Sequence, residues 1–230
     1  MITRTDYGEV TKFMMGKQLG DTIPFSMAVY YVDGLMIDTG PYSVYDELED
    51  ALGGLSIKKV VNTHHHEDHV GNNCYFNQIG IPIFAHQLTV PLNQAPTFWT
   101  SRFLDYQKLL FDYPPASDCL VLGDYISGDK YQYRVIHTPG HAHDHICLWE
   151  EQNGWLFSGD LFRGERVKNL RVDEDVHTTI ASLEKLLAFN FNTIYCCSGQ
   201  VYDQAKQRIM NKLNWWQNLY HQAISLSEQG

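Results

Sequence analysis

The chain has 230 residues, 44% hydrophobic and 19% charged, which suits one large domain with its own core and excludes a disordered chain. Its 17 Lys and Arg against 27 Asp and Glu leave a formal charge of −10, so a basic nucleic-acid surface is not expected. No run approaches the roughly 18 apolar residues of a membrane span, and five cysteines without a CxxC pair exclude a disulfide framework and a thiolate zinc knuckle.

The first third reads as strands. Residues 28–32 and 35–37 form a hairpin around Asp33-Gly34, because that dipeptide accepts the positive φ of a tight turn. Ser43 is the candidate N-cap of a helix with Val44, Leu48 and Leu52 on one face, stopped by Gly53-Gly54. A buried strand over 57–62 leads into a histidine cluster. A short helix over 72–79 and a strand over 81–85 follow. The stretch 88–118 reads as one or two helices in an insertion rich in aromatic residues. Strands return over 120–122, 131–136, 146–149 and 155–157, the last two joined at Asn153-Gly154. Val176, Ile180, Leu183 and Leu187 fit a helix capped by Asp175. A strand over 193–197 precedes an amphipathic helix marked by Ala205, Ile209, Leu213, Trp216, Tyr220 and Ala223. This order fits two stacked sheets with helices outside, in one domain over 1–230.

Histidine carries the functional signal. Eight of the 11 fall in two clusters: His64, His65, His66 and His69, then His137, His141, His143 and His145. In extended backbone His64 and His66 point the same way, so they can share a metal ion. Asp68 and His69 then turn towards a second one. Imidazole with carboxylate suits zinc, iron or manganese.

His64-x-His66-x-Asp68-His69 resembles the HxHxDH signature of the metallo-β-lactamase superfamily. Asp38-Thr39-Gly40, Thr138-Pro139-Gly140-His141 and Ser158-Gly159-Asp160 match further family motifs in order. The resemblance implies an α/β fold, a four-layer αβ/βα sandwich. It implies one metal ion on His64, His66 and His141, a second on Asp68 and His69, and Asp160 bridging them. Asp38 would fix a ligand histidine, and Asp68 would be catalytic. Where the family places its last ligand histidine, this chain has Gln200, a weak ligand for zinc. His143, His145 or His177 are candidate substitutes. His86 is expected to be a buried neutral histidine, and Cys196 and Cys197 small apolar residues.

The implied activity is a metal-dependent hydrolase. A metal-bound hydroxide would cleave a small ester, thioester, lactone or related acyl substrate, with Zn²⁺ in one or two sites, or Mn²⁺ or Fe²⁺. Alternatives are a mononuclear iron persulfide dioxygenase on His64, His141 and Asp160, and a non-catalytic metal-binding sensor. A cytoplasmic setting, a small-molecule substrate, no nucleic-acid or membrane partner, and a homodimer contact through the insertion or Trp215-Trp216 complete the expectations.

Overall fold

The computed structural model describes residues 1–167 and 169–227. Two mixed sheets stack face to face. The first has strand order β1-β2-β3-β4-β5-β6-β7, from β1 (Ile2–Tyr7), β2 (Val10–Met15), β3 (Met27–Val32), β4 (Leu35–Ile37), β5 (Lys59–Val61), β6 (Ile83–Ala85) and β7 (Leu120–Val121). It is antiparallel from β1 to β4 and parallel from β4 to β7. The second has the order β13-β12-β11-β10-β9-β8, from β8 (Tyr125–Ser127), β9 (Gln132–His137), β10 (Ile146–Glu150), β11 (Trp155–Phe157), β12 (Thr193–Tyr195) and β13 (Val201–Tyr202).

Alternation along each strand builds the layers, because successive side chains leave opposite faces. On β10, Ile146 and Leu148 point between the sheets, where they meet Tyr30, Leu35, Ile37 and Val61 of the first sheet. Cys147 and Trp149 point the other way, against α7 (Val176–Leu186) and α8 (Ala205–Ser227) through Leu183, Leu186, Ile209 and Leu213. The first sheet's outer face packs Phe13, Val29, Met36 and Val60 against Val44, Leu48 and Phe76. Those three lie on a 3-10 turn (Tyr42–Glu47), on α1 (Leu48–Leu52) and on α3 (Asn73–Gln78). The result is the four-layer order expected: helices, sheet, sheet, helices.

The hairpin of β3 and β4 has its expected turn, with Asp33 at φ 55° and Gly34 at φ 79°. Asp175 caps α7, its side chain accepting the Thr178 N–H at 2.9 Å. Other elements differ. Ser43 caps nothing; Pro41 holds the N-cap position and the Ser43 hydroxyl donates to Leu110 O at 2.7 Å. The expected strands 57–62 and 193–197 shorten to three residues each, because their ends bend out to carry the site. The N-terminal hairpin of β1 and β2 was not anticipated, nor were β8 and β13, which are too short to show a period. The insertion holds three short helices: α4 (Val90–Gln94), α5 (Thr97–Thr100) and α6 (Asp105–Leu110).

Candidate metal centre

Loops from both sheets meet at one edge of the sandwich. Asp38 follows β4. Residues 62–66 leave β5 and enter α2 (Glu67–Val70). Residues 138–145 join β9 to β10, and 158–160 follow β11. Ile146 N donates to Thr63 O at 2.8 Å, which ties the two histidine clusters together across the sheets.

His64, His66 and His141 are buried, and their ring nitrogens converge. His66 Nδ1 lies 3.0 Å from His64 Nε2 and 2.9 Å from His141 Nε2. The outer nitrogens are already held. His141 Nδ1 donates to Glu174 Oε1 at 2.8 Å. His64 Nδ1 lies 3.0 Å from Thr63 Oγ1, whose own proton goes to Asp38 Oδ2 at 2.8 Å. The inner nitrogens of His64 and His141 therefore present lone pairs, and a single proton on His66 Nδ1 cannot serve both. A cation bound by all three satisfies them, and the spacing is close to the ligand separations around a four-coordinate ion with bonds of about 2.0 Å. The donor set fits a metal ion.

A second cluster joins His64, His69 and Asp160. His69 Nε2 lies 3.1 Å from Asp160 Oδ1, yet neither atom has a hydrogen-bond partner, and both are buried. His69 Nδ1 donates to Asp38 Oδ2 at 2.7 Å, so its inner nitrogen also needs a proton or a cation between itself and the carboxylate. Asp38 sits in left-handed backbone at φ 62° and also accepts Thr63 N at 2.7 Å. One carboxylate thus orients ligand candidates from the first histidine cluster.

The electrostatics follow from burial and neighbours. Burial, reinforced by adjacent imidazoles, holds His64 well below the ordinary range; His66 is lowered by burial and by the Arg171 guanidinium. Burial would lower His69 too, but the Asp38, Asp68 and Asp160 carboxylates lift it well above. Burial would raise Asp160, but His141 and His69 hold it well below the usual carboxylate range. Asp68 is pushed up to about 6, chiefly by burial.

Asp68 is buried beside the second cluster, its Oδ2 3.9 Å from His69 Nε2, but it does not converge with the other donors. Gln200 is exposed, and its amide oxygen accepts the Tyr202 hydroxyl. Among the described residues, the substitute histidines lie outside both donor clusters. His145 is pushed down to about 3 by burial; its Nδ1 donates to Thr138 Oγ1 at 2.9 Å and its Nε2 accepts Asp160 N at 3.1 Å, so it positions the Asp160 turn. His143 lies against His65, with ring centroids 5.6 Å apart, and His177 packs on Tyr220 at 4.5 Å. His86 accepts the Leu88 N–H on Nδ1 at 3.4 Å, the backbone partner expected, but it is half-buried rather than buried and stacks on His137 at 4.4 Å. Cys196 and Cys197 are buried free thiols.

Glu174, Arg163, Gln107 and Arg171 gave no sequence signal because only tertiary packing brings them in. Glu174 backs His141, and Arg163 joins it, with Nη2 on Glu174 Oε1 at 3.1 Å and Nη1 3.5 Å from Asp160 Oδ2. Glu67, fully buried, accepts Gln107 Nε2 at 2.6 Å and pairs with Arg171 Nη1 at 3.4 Å. Asp144, set between two histidines of the second cluster, did carry a signal; its carboxylate accepts His65 Nδ1 at 2.9 Å and Thr89 Oγ1 at 2.7 Å.

A family model described as "Metallo-beta-lactamase superfamily" matches residues 25–198. The chain is 30% identical over 180 residues to a Caenorhabditis elegans "Beta-lactamase-like protein 2 homolog", covering 76% of this chain and 55% of that one. It is 31% identical over 127 residues to a "Hydroxyacylglutathione hydrolase" of Bdellovibrio bacteriovorus, covering 55% and 41%. The chain therefore spans about half the length of the curated relatives it matches. A solved metallo-β-lactamase from Erythrobacter litoralis superposes with a TM-score of 0.71 at 17% identity, over 94% of this chain and 96% of that one, a likeness of fold. Among the described residues, no helix is long and apolar enough to cross a membrane.

Proposed function

We propose, from the premise that the chain belongs to the metallo-β-lactamase superfamily, that it is a metal-dependent hydrolase of small acyl compounds: esters, thioesters or lactones. The observation that carries this reading is the inward convergence of His64, His66 and His141 while other groups hold the outer nitrogens of His64 and His141. A divalent ion held there supplies, when bound, Lewis acidity and a water activated near neutral pH. Three imidazoles favour zinc over harder cations, with Mn²⁺ and Fe²⁺ as the alternatives. The Bdellovibrio relative, named as a hydrolase of hydroxyacylglutathione, supports an acyl substrate.

The residues divide the work as follows. His64, His66 and His141 hold the first ion. His69 and Asp160, with Asp68 beside them, form a weaker second site, weaker because Gln200 stands where the family motif has its last histidine and its amide is engaged by Tyr202. Asp160 lies between the sites, its Oδ2 3.2 Å from His141 Nε2. Asp68, a buried carboxylate pushed up to about 6, is suited to accept and return a proton close to neutral pH. Asp38 and Glu174 keep the ligand rings in register. The five free cysteines fit a reducing, cytoplasmic setting.

The test is metal content together with turnover of a thioester and lactone panel. Zinc at one tight equivalent per chain, lost in His66→Ala, with turnover that Asp68→Ala lowers at least about a hundredfold, is the expected result. Full turnover in chelated protein would overturn the reading. One tight iron with oxygen consumed on a persulfide would replace it with the dioxygenase.

A further inference from the structure

The turn that presents Asp160 is gripped from behind by one buried cation. Lys212, on α8, is 2% exposed, and among the described residues it forms no ion pair. Its Nζ donates to Gly164 O at 3.0 Å and stands over the Phe162 ring, 5.4 Å from the centroid. Those two contacts flank Arg163. Burial and the Arg163 charge push the Lys212 ammonium down to about 8, which leaves it a cation at neutral pH. A buried charge without a carboxylate is costly, and a methionine would pack α8 without that cost. The ammonium is therefore explained by what it holds, the backbone on either side of Arg163.

Arg163 carries the grip to the centre. Its Nη2 lies 3.1 Å from Glu174 Oε1 and its Nη1 3.5 Å from Asp160 Oδ2. Both carboxylates meet His141: Glu174 Oε1 accepts Nδ1 at 2.8 Å, and Asp160 Oδ2 lies 3.2 Å from Nε2. The Arg163 side chain is 29% exposed, so it has solvent to turn to, and its aim depends on how firmly its backbone is set. Lys212, Arg163, Glu174, Asp160 and His141 line one cavity of about 10 Å³, room for a single water, so the grip and the groups it aligns form one packed unit.

We propose that Lys212 is a positioning residue of the metal centre: it sets the turn after Asp160 so that Arg163 spans Asp160 and Glu174 and holds His141 between them. This rests on the reading of the site as a metal centre. Position and charge act in opposite directions here. A cation near a metal site repels the ion, so removing charge alone tightens zinc. Removing the grip lets Asp160 and Glu174 leave their geometry and weakens zinc, by the tenfold or more typical of groups that orient ligands.

The experiment measures zinc affinity by competition with a chelator in the unaltered chain, Lys212→Met, Arg163→Met and the double variant, beside urea unfolding of each. Lys212→Met is expected to weaken zinc about tenfold, Arg163→Met by a similar factor, and the double variant no further than the weaker single variant. Unchanged or tighter zinc in folded Lys212→Met overturns the proposal, because the lysine then only packs α8 or acts only by charge. A double variant that loses the product of the two factors overturns it as well, because Lys212 then does not act through Arg163. If Lys212→Met does not fold, Arg163→Met, at a partly exposed position, decides: weaker zinc upholds the route through Arg163, and unchanged or tighter zinc overturns it. No tight zinc in the unaltered chain fells the metal reading itself; tight zinc there with an unaffected Lys212→Met fells the positioning role alone.

Discussion

Single residues set the chemistry of this edge through what they orient. Asp38 leaves β4 in a conformation that L-residues rarely adopt, and spends both oxygens on Thr63 and His69. His145 looks like a ligand in the sequence but is spent on holding the backbone of Asp160. Asp144 works the same way on His65. Burial would raise its pKa, but the bonds from His65 and Thr89 outweigh burial and hold it down to about 2. A carboxylate whose folded pKa lies below its unfolded value stabilises the fold above about pH 4. That contribution is lost as pH falls through about 2, and here it is about 2 kcal/mol. Asp144→Asn is therefore expected to cost about 2 kcal/mol more at pH 7 than at pH 2 in urea unfolding. A pH-independent difference would remove the charge argument.

At the scale of elements, the loops that carry ligands are held by the helices behind them. Gly140, next to His141, has φ 140°, and a Cβ there would meet the Thr179 backbone of α7 at 2.6 Å. Asp175 N donates to Gly140 O at 2.8 Å and the Ser182 hydroxyl to Pro139 O at 2.6 Å, so α7 docks directly on the His141 loop. Gly140→Ala must separate them. A loss of about 2–4 kcal/mol with weakened zinc binding is expected, measured by denaturation and by competition with a chelator. If stability falls and zinc affinity does not, α7 does not position His141. Elements with a strong local code, such as the Asp33-Gly34 hairpin and the Asp175 cap, were legible because turn and cap chemistry act within a few residues. Three-residue strands were not, since so short a run has no period to read.

At the scale of the whole molecule, the site depends on how the two sheets sit on each other. Asp38, His64 and His69 follow strands of one sheet, and His141 and Asp160 follow strands of the other. Phe157, 1% exposed, lies between the sheets, stacked on Tyr195 at 5.0 Å and edge-on to Tyr30 at 5.7 Å. Phe157→Ala is expected to cost about 3–5 kcal/mol and to loosen Asp160, three residues along the chain. Calorimetry with and without zinc checks this. A cost below about 1 kcal/mol would mean that the sheets are held elsewhere.

The spacing of the ligand candidates and the family are legible in the chain alone, because HxHxDH and the motifs after it are read from residues close together. The sequence also determined the layers, since apolar alternation says which face of each strand is buried. Packing between distant residues is what brings Glu174 and Asp38 onto the rings of ligand candidates, His145 onto the Asp160 backbone, and two distant segments onto Glu67. Those placements depend on contacts between residues 31 to 104 positions apart, apart from His145 with Asp160 at 15, and no local pattern encodes them.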